Sequence, residues 1–100
     1  MSSNRFAVYI MANARPTLYV GMTNNLLRRV SEHKSEANEK SFTARYHLHR
    51  LIYFEIYETP MQAIVREKQI KAMNRAEKLE LIHATNPALN DLWEYACEVC

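Results

Sequence analysis

Hydrophobic positions open the chain as a block and continue as periodic stretches. From Arg5 to Met11 nearly every residue is apolar, the pattern of a strand buried on both faces. Asn13-Ala14-Arg15-Pro16 interrupts the run as a turn, and Thr17 to Met22 reads as a second strand. A hairpin with Tyr9 opposite Tyr19 pairs Met11 with Thr17, leaves 12–16 as the loop and sets both tyrosines side by side on one face. Asn24 or Asn25 can cap a helix running to about Ala37, followed by a polar, basic connection over 38–47. His49 to Glu58 alternates loosely and is rich in β-branched and aromatic residues, which predicts a third strand. Thr59-Pro60-Met61-Gln62 is a helix start, with a capping Thr, Pro at the first helical position and Gln three residues after the cap. That helix should reach about Met73. Asn74, with Glu77 three residues on, can cap another that ends before Asn86-Pro87. The order β-β-α-β-α-α predicts a small α+β domain.

One hundred residues make a single domain, with a core over about 5–93 and an acidic tail over 94–100. The chain is 48% hydrophobic and 24% charged, a globular balance that argues against disorder. Cys97 and Cys100 form a lone Cys-x-x-Cys pair. A structural zinc needs four ligands, so this pair reads as two tail cysteines without a catalytic role. No apolar run has the length of a membrane span. Arg5, apolar Phe6 to Ala12 and Ala12-Asn13-Ala14 loosely mimic a signal peptide, but the run is short and cleavage would discard a well-formed strand. A cytoplasmic protein with no membrane association is the expectation.

The net charge of +2 says little, whereas its distribution says more. Residues 22–50 carry Arg28, Arg29, Lys34, Lys40, Arg45 and Arg50 against three glutamates, and 66–78 carry five cations against two. The last ten residues carry only Asp91, Glu94 and Glu98 as charges. A cationic middle beside an acidic end fits a polyanion partner, although solvated helix faces would give the same charges. Lys40, Arg45, Tyr46 and Arg50 place cations and an aromatic in and just after the polar connection, where phosphate contact and base stacking can combine. Arg28 reads as a further phosphate contact or a plain surface charge.

Glu67 shares one helical stripe with Ala63 and Ile70, at about 100° per residue. A carboxylate there requires compensation, by a metal ion or by Lys71 at i+4, and periodicity favours neither. Magnesium accepts few carboxylates alongside waters and substrate phosphates, so a single Glu suffices. Arg29 and His33 are also four apart and can both turn toward the sheet from the margin of their helix's apolar face. Tyr9 and Tyr19 alone would be core aromatics with a polar handle. A phenol serves as a base only where positive charge stabilises phenolate, a field that Arg29, Lys34 and a metal at Glu67 could supply. Gly21, the only glycine, permits close approach by backbone or substrate.

Ala7-Val8-Tyr9 and Tyr19-Val20-Gly21, followed by Gly21-Met22-Thr23-Asn24-Asn25-Leu26, Arg29, Glu32-His33-Lys34, Arg66-Glu67-Lys68-Gln69-Ile70-Lys71 and Asn86-Pro87, resemble the GIY-YIG nuclease superfamily. The likeness spans roughly Phe6 to Trp93 and is strongest to small stand-alone bacterial members related to the nuclease domain of the bacterial excinuclease. It implies a three-stranded antiparallel sheet flanked by helices. It also implies a DNA endonuclease, structure-directed or of low sequence specificity, using one magnesium or manganese ion. By the same likeness Tyr9 is the general base or orients the attacking water, and Tyr19 holds that water or the phosphate. Arg29 stabilises the transition state, His33 relays a proton or contacts phosphate, and Glu67 binds the metal. Gly21, Lys34 and Asn86 are auxiliary. Ala7 stands in place of the motif's first glycine, and Val8 and Val20 in place of its isoleucines. None of these side chains does chemistry.

DNA, or another nucleic acid, is then the partner, in a setting of repair or recombination. A protein partner or homodimer is left to supply specificity. The alternatives are a catalytically weak or inactive nucleic-acid-binding module on the same fold, and a small interaction protein whose tyrosines are core. Tyr9, Tyr19, Arg29, His33 and Glu67 together favour the enzyme.

Overall fold

The computed structural model describes residues 5–35 and 46–100. Strands β1 (Phe6–Ala12), β2 (Leu18–Thr23) and β3 (Arg50–Tyr57) form one antiparallel sheet in the order β2-β1-β3. Helix α1 (Leu26–Ser35) lies between β2 and β3 in sequence, and α2 (Pro60–Ala72), α3 (Arg75–His83) and α4 (Trp93–Val99) follow β3. The α+β architecture and the three-stranded antiparallel sheet agree with the sequence, and a fourth short helix occupies the expected acidic tail.

The apolar block at β1 becomes the central strand, buried on both sides. Val8, Ile10 and Ala12 face one cluster with Val20, Ala63, Ile70 and Ile82, which brings α2 and α3 onto that face. Ala7, Tyr9 and Met11 face a second cluster with Leu26, Val30, Leu51 and Ala96, under α1 and α4. A register shift between Ile10 and Met11 pairs Ile10 with Tyr53 and Met11 with Leu51. Ile52 is left unpaired as a bulge, so Leu51 and Ile52 are both fully buried.

The hairpin register differs from the expected one. Tyr9 pairs with Gly21 and Met11 with Tyr19, and Ala12 with Leu18 closes a loop over 13–17. The cause is Asn13, whose side-chain oxygen accepts the N–H groups of Thr17 at 2.7 Å and Arg15 at 3.0 Å. This Asx-type loop starts one residue later than the proline suggested. A shift of two in the pairing keeps each side chain on its face. Tyr9 and Tyr19 therefore share a face, but as diagonal neighbours.

The helix starts follow their caps. Asn25 accepts Arg28 N–H at 3.1 Å, Thr59 accepts Gln62 N–H at 3.3 Å, and Asn74 with Glu77 forms a reciprocal capping box. No helix is long and apolar enough to cross a membrane among the described residues.

Candidate active site

Tyr9, Tyr19, Arg29 and His33 gather between α1 and strands β1 and β2, and Glu67 acts on Tyr9 from α2. Tyr9 rises from the central strand with 1% of its surface exposed, and its hydroxyl lies 3.0 Å from His33 Nε2. Tyr19 stands diagonally across, its ring centroid 6.4 Å from that of Tyr9 and 5.7 Å from that of His33. Arg29, one turn before His33 on α1, is near enough to act electrostatically on both Tyr9 and His33, and its Nε is buried without a hydrogen-bond partner. Glu67, from α2, is near enough for its charge to act on the same phenol.

Gly21 makes this packing possible. A Cβ there would lie 2.5 Å from the Tyr9 hydroxyl oxygen, 2.6 Å from its Cζ and 3.0 Å from Tyr19 Cε2. The backbone at Gly21 needs no positive φ, so the requirement is for space alone. What approaches this glycine closely is the Tyr9 ring, laid across β2 toward α1.

Burial pushes the Tyr9 phenol well above the ordinary tyrosine range. Tyr19 and Glu67 add to the rise, and Arg29 only partly offsets it. Burial also lowers the His33 pKa from 6.5, and Arg29 lowers it further against Glu32. The resting pair near neutral pH is thus a neutral phenol beside a neutral imidazole, which can accept the phenol's proton. A standing phenolate, the expected base, is disfavoured here.

Lys34 was expected to add to the phenolate field. Instead it binds the Asp91 carboxylate and His49 O (2.8 Å), with Nζ 5.8 Å from the Trp93 ring centroid. Asp91 Oδ1 in turn accepts Leu51 N–H at 3.2 Å and Trp93 N–H at 3.1 Å. Lys34 thereby fastens the C-terminal segment over α1 and β3.

Asn86, expected near the site, is buried in the loop after α3. Its amide donates to Ile52 O at 3.0 Å and Asn90 O at 2.9 Å and accepts Asn90 N–H at 3.0 Å. These bonds hold the loop against β3. Among the expected nucleic-acid contacts, Arg28 is exposed with Nε 3.9 Å from Glu32. Arg50 is exposed at the start of β3, and Tyr46 is 39% exposed, its carbonyl accepting from Asn13. Lys40 and Arg45 lie outside the described residues.

Of the two compensations expected for Glu67, the structure shows the Lys71 pair. The Glu67 carboxylate lies 3.2 Å from Lys71 Nζ, with the two side chains 20% and 54% exposed, and its charge reaches Tyr9. Among the described residues no three His, Cys, Asp or Glu side chains cluster as a metal cage. A hard divalent ion fits the oxygens present only by taking Glu67 together with water and substrate phosphate, which is how magnesium commonly binds.

Two positioning groups carried no sequence expectation. Thr23 Oγ1 accepts Asn25 N–H at 3.0 Å and fixes the entry to α1. Glu55 accepts Arg66 Nε at 2.9 and 3.2 Å and Nη2 at 3.1 Å, the Tyr57 hydroxyl at 2.5 Å, and the Tyr53 hydroxyl. Burial pushes the Glu55 carboxyl up, but hydrogen bonds from Arg66, Tyr53 and Tyr57 outweigh it and leave it below the usual range. The Tyr53-x-Glu55-x-Tyr57 alternation was the available signal.

A model of the GIY-YIG catalytic domain matches residues 5–80. The chain is 39% identical over 75 residues to a UPF0213 protein of Syntrophus aciditrophicus, covering 75% of this chain and 86% of that one. It is 34% identical over 89 residues to a UPF0213 protein of Pediococcus pentosaceus, covering 89% and 93%. The solution NMR structure of the UPF0213 protein BH0048 from Bacillus halodurans has a TM-score of 0.56 and 23% identity over 84% of this chain and 88% of that one. That likeness supports the fold.

Proposed function

The chain belongs to the GIY-YIG catalytic domain family, and from that membership we propose that it is a metal-dependent endonuclease hydrolysing phosphodiester bonds in DNA. Cleavage is directed by DNA structure or is of low sequence specificity. The observation that carries this reading is the Tyr9–His33 hydrogen bond, flanked by Arg29 and within the field of Glu67. A structural core has no use for a neutral phenol–imidazole pair with a guanidinium and a carboxylate at its rim.

One magnesium or manganese ion bound by Glu67 would polarise the scissile phosphate. Tyr9 takes a proton from the attacking water as its own hydroxyl proton passes to His33 Nε2. The phenol thus moves a proton without having to be ionised beforehand. The hydroxide formed attacks phosphorus, the bond to the leaving oxygen breaks, and that oxygen takes a proton from solvent. Tyr19 orients the water or a phosphate oxygen. Arg29 presents pre-placed positive charge to the phosphate as its charge grows in the transition state.

Nicking of supercoiled plasmid, with magnesium or with chelator, tests this reading in wild type, Glu67→Gln, Arg29→Ala and Arg28→Ala. Metal-dependent nicking should vanish in Glu67→Gln, fall at least 100-fold in Arg29→Ala and change little in Arg28→Ala. The Glu67–Lys71 pair is half exposed, so Glu67→Gln should alter stability by less than about 1 kcal/mol. DNA binding without nicking by the wild type would leave only a binding module, and nicking by Glu67→Gln would overturn the metal assignment.

A further inference from the structure

Both charged groups assigned to the chemistry carry a counter-ion within one turn of their own helix. Arg29 Nε lies 3.3 Å from Glu32, and Glu67 Oε2 lies 3.2 Å from Lys71 Nζ. The second pair is uneven. Glu67 is 20% exposed, whereas Lys71, in the last turn of α2, is 54% exposed. Glu followed by Lys at i+4 is the favourable order for such a pair, but a half-exposed pair of this kind is weak and opens readily. The carboxylate held by Lys71 is the one whose charge reaches the Tyr9 hydroxyl. Lys71 is thus joined to the site through Glu67.

We propose that Lys71 is the resting counter-ion of the metal-binding carboxylate and becomes a substrate-phosphate ligand once a divalent ion displaces it. The inference rests on Glu67 being the metal ligand. A divalent ion on Glu67 repels the ammonium and removes its acceptor. The group best able to receive it beside Tyr9 is a phosphate oxygen of bound nucleic acid, by a charge-assisted hydrogen bond. Metal and nucleic acid then favour each other's binding through one side chain. Lys71 weakens metal binding in the free protein and strengthens DNA binding in the loaded one.

Three measurements on the full chain test this. Manganese affinity without DNA, read by electron paramagnetic resonance, should tighten about twofold in Lys71→Gln, the change expected from losing a pair of this class. In calcium, which holds the carboxylate without cleavage, duplex affinity should fall in Lys71→Gln. The slope of log affinity against log salt should fall by about one. The gain in DNA affinity on adding calcium should shrink in Lys71→Gln and persist in Lys68→Gln, an exposed lysine on the same helix. Loss of manganese binding in Glu67→Gln, with Lys71→Gln unchanged in all three measurements, overturns the Lys71 role and leaves the metal ligand standing. Undiminished manganese binding in Glu67→Gln overturns both.

Discussion

Tyr9 and His33 make the site's behaviour testable through pH. The catalytic relay needs His33 neutral, and burial together with Arg29 lowers its pKa from 6.5. Cleavage should therefore stay flat through neutral pH, with an acid limb centred below 6.5. The unfolded chain binds a proton at its ordinary imidazole pKa, while the fold resists it until a lower pH. Stability should consequently fall as pH drops through that interval. The raised Tyr9 pKa has the opposite consequence at the alkaline end, where the unfolded phenol ionises first and stability is lost above about pH 10. An acid limb above 6.5 in the pH–rate profile would contradict a neutral His33 acceptor. Gly21→Ala is the second test at this scale. The added methyl overlaps the Tyr9 hydroxyl, and the ring must move off His33. The fold should lose about 1–3 kcal/mol by thermal melting, as overpacking does. Nicking should drop at least as far as in Tyr9→Phe, and unchanged nicking in Gly21→Ala would show that the ring's seat on β2 is unimportant. Spacing marked Arg29 and His33 as neighbours on one helix face and Glu67 among apolar positions, whereas Tyr9 and Tyr19 stood out only through the resemblance. The sequence could not mark Lys34 or Asn86 as fasteners, since their partners Asp91 and Ile52 are far away in the chain.

At the scale of elements, Arg66 and Glu55 decide where Glu67 points. Ala63 and Ile70 seat α2 on the sheet, and the Arg66 fork onto Glu55 fixes its rotation against β3. The Tyr53 and Tyr57 hydroxyls donate to the same carboxylate, and Arg66 Nη1 also reaches Gln69 at 3.2 Å. Arg66→Met should destabilise the domain by about 1–3 kcal/mol, because Glu55 keeps its partly buried charge with only phenols to meet it. Glu55→Gln should cost less, and in both variants the metal concentration for half-maximal nicking should rise more than the limiting rate falls. A loss confined to melting temperature would make the clamp purely structural. Elements with chemical punctuation were legible: Thr59-Pro60 and Asn74–Glu77 announced α2 and α3, and unbroken hydrophobicity announced β1. Helix α4 carries no such mark. Its cap, Leu92, makes no side-chain bond, and the helix forms because Trp93 and Ala96 pack under α1 and β1. The hairpin register escaped for a related reason, since a single side-chain oxygen on Asn13 outweighed the proline as the organiser of the loop.

For the molecule as a whole, a net charge of +2 cannot hold a polyanion without local concentration of cations. Arg28 and Arg50 are exposed, and neither belongs to the Tyr9–His33 centre. Glu32 lies against both Arg28 and Arg29, so phosphate must compete with a carboxylate for that part of α1. Binding through these arginines should be independent of sequence and steeply dependent on salt. In the double variant Arg28→Ala/Arg50→Ala, the slope of log affinity against log salt should fall by about two, with little change in melting temperature. At saturating DNA the nicking rate should remain near wild type, because neither guanidinium is aimed at the phenol–imidazole pair. Arg29→Ala should behave in the converse way, with a slope lowered by about one at most and a large loss of limiting rate. Glu32→Gln should tighten duplex binding, since it removes the competing carboxylate. If the double variant and wild type trace the same salt dependence, the duplex does not lie across α1 and the start of β3, and the binding face must be sought elsewhere on the sheet's flanks.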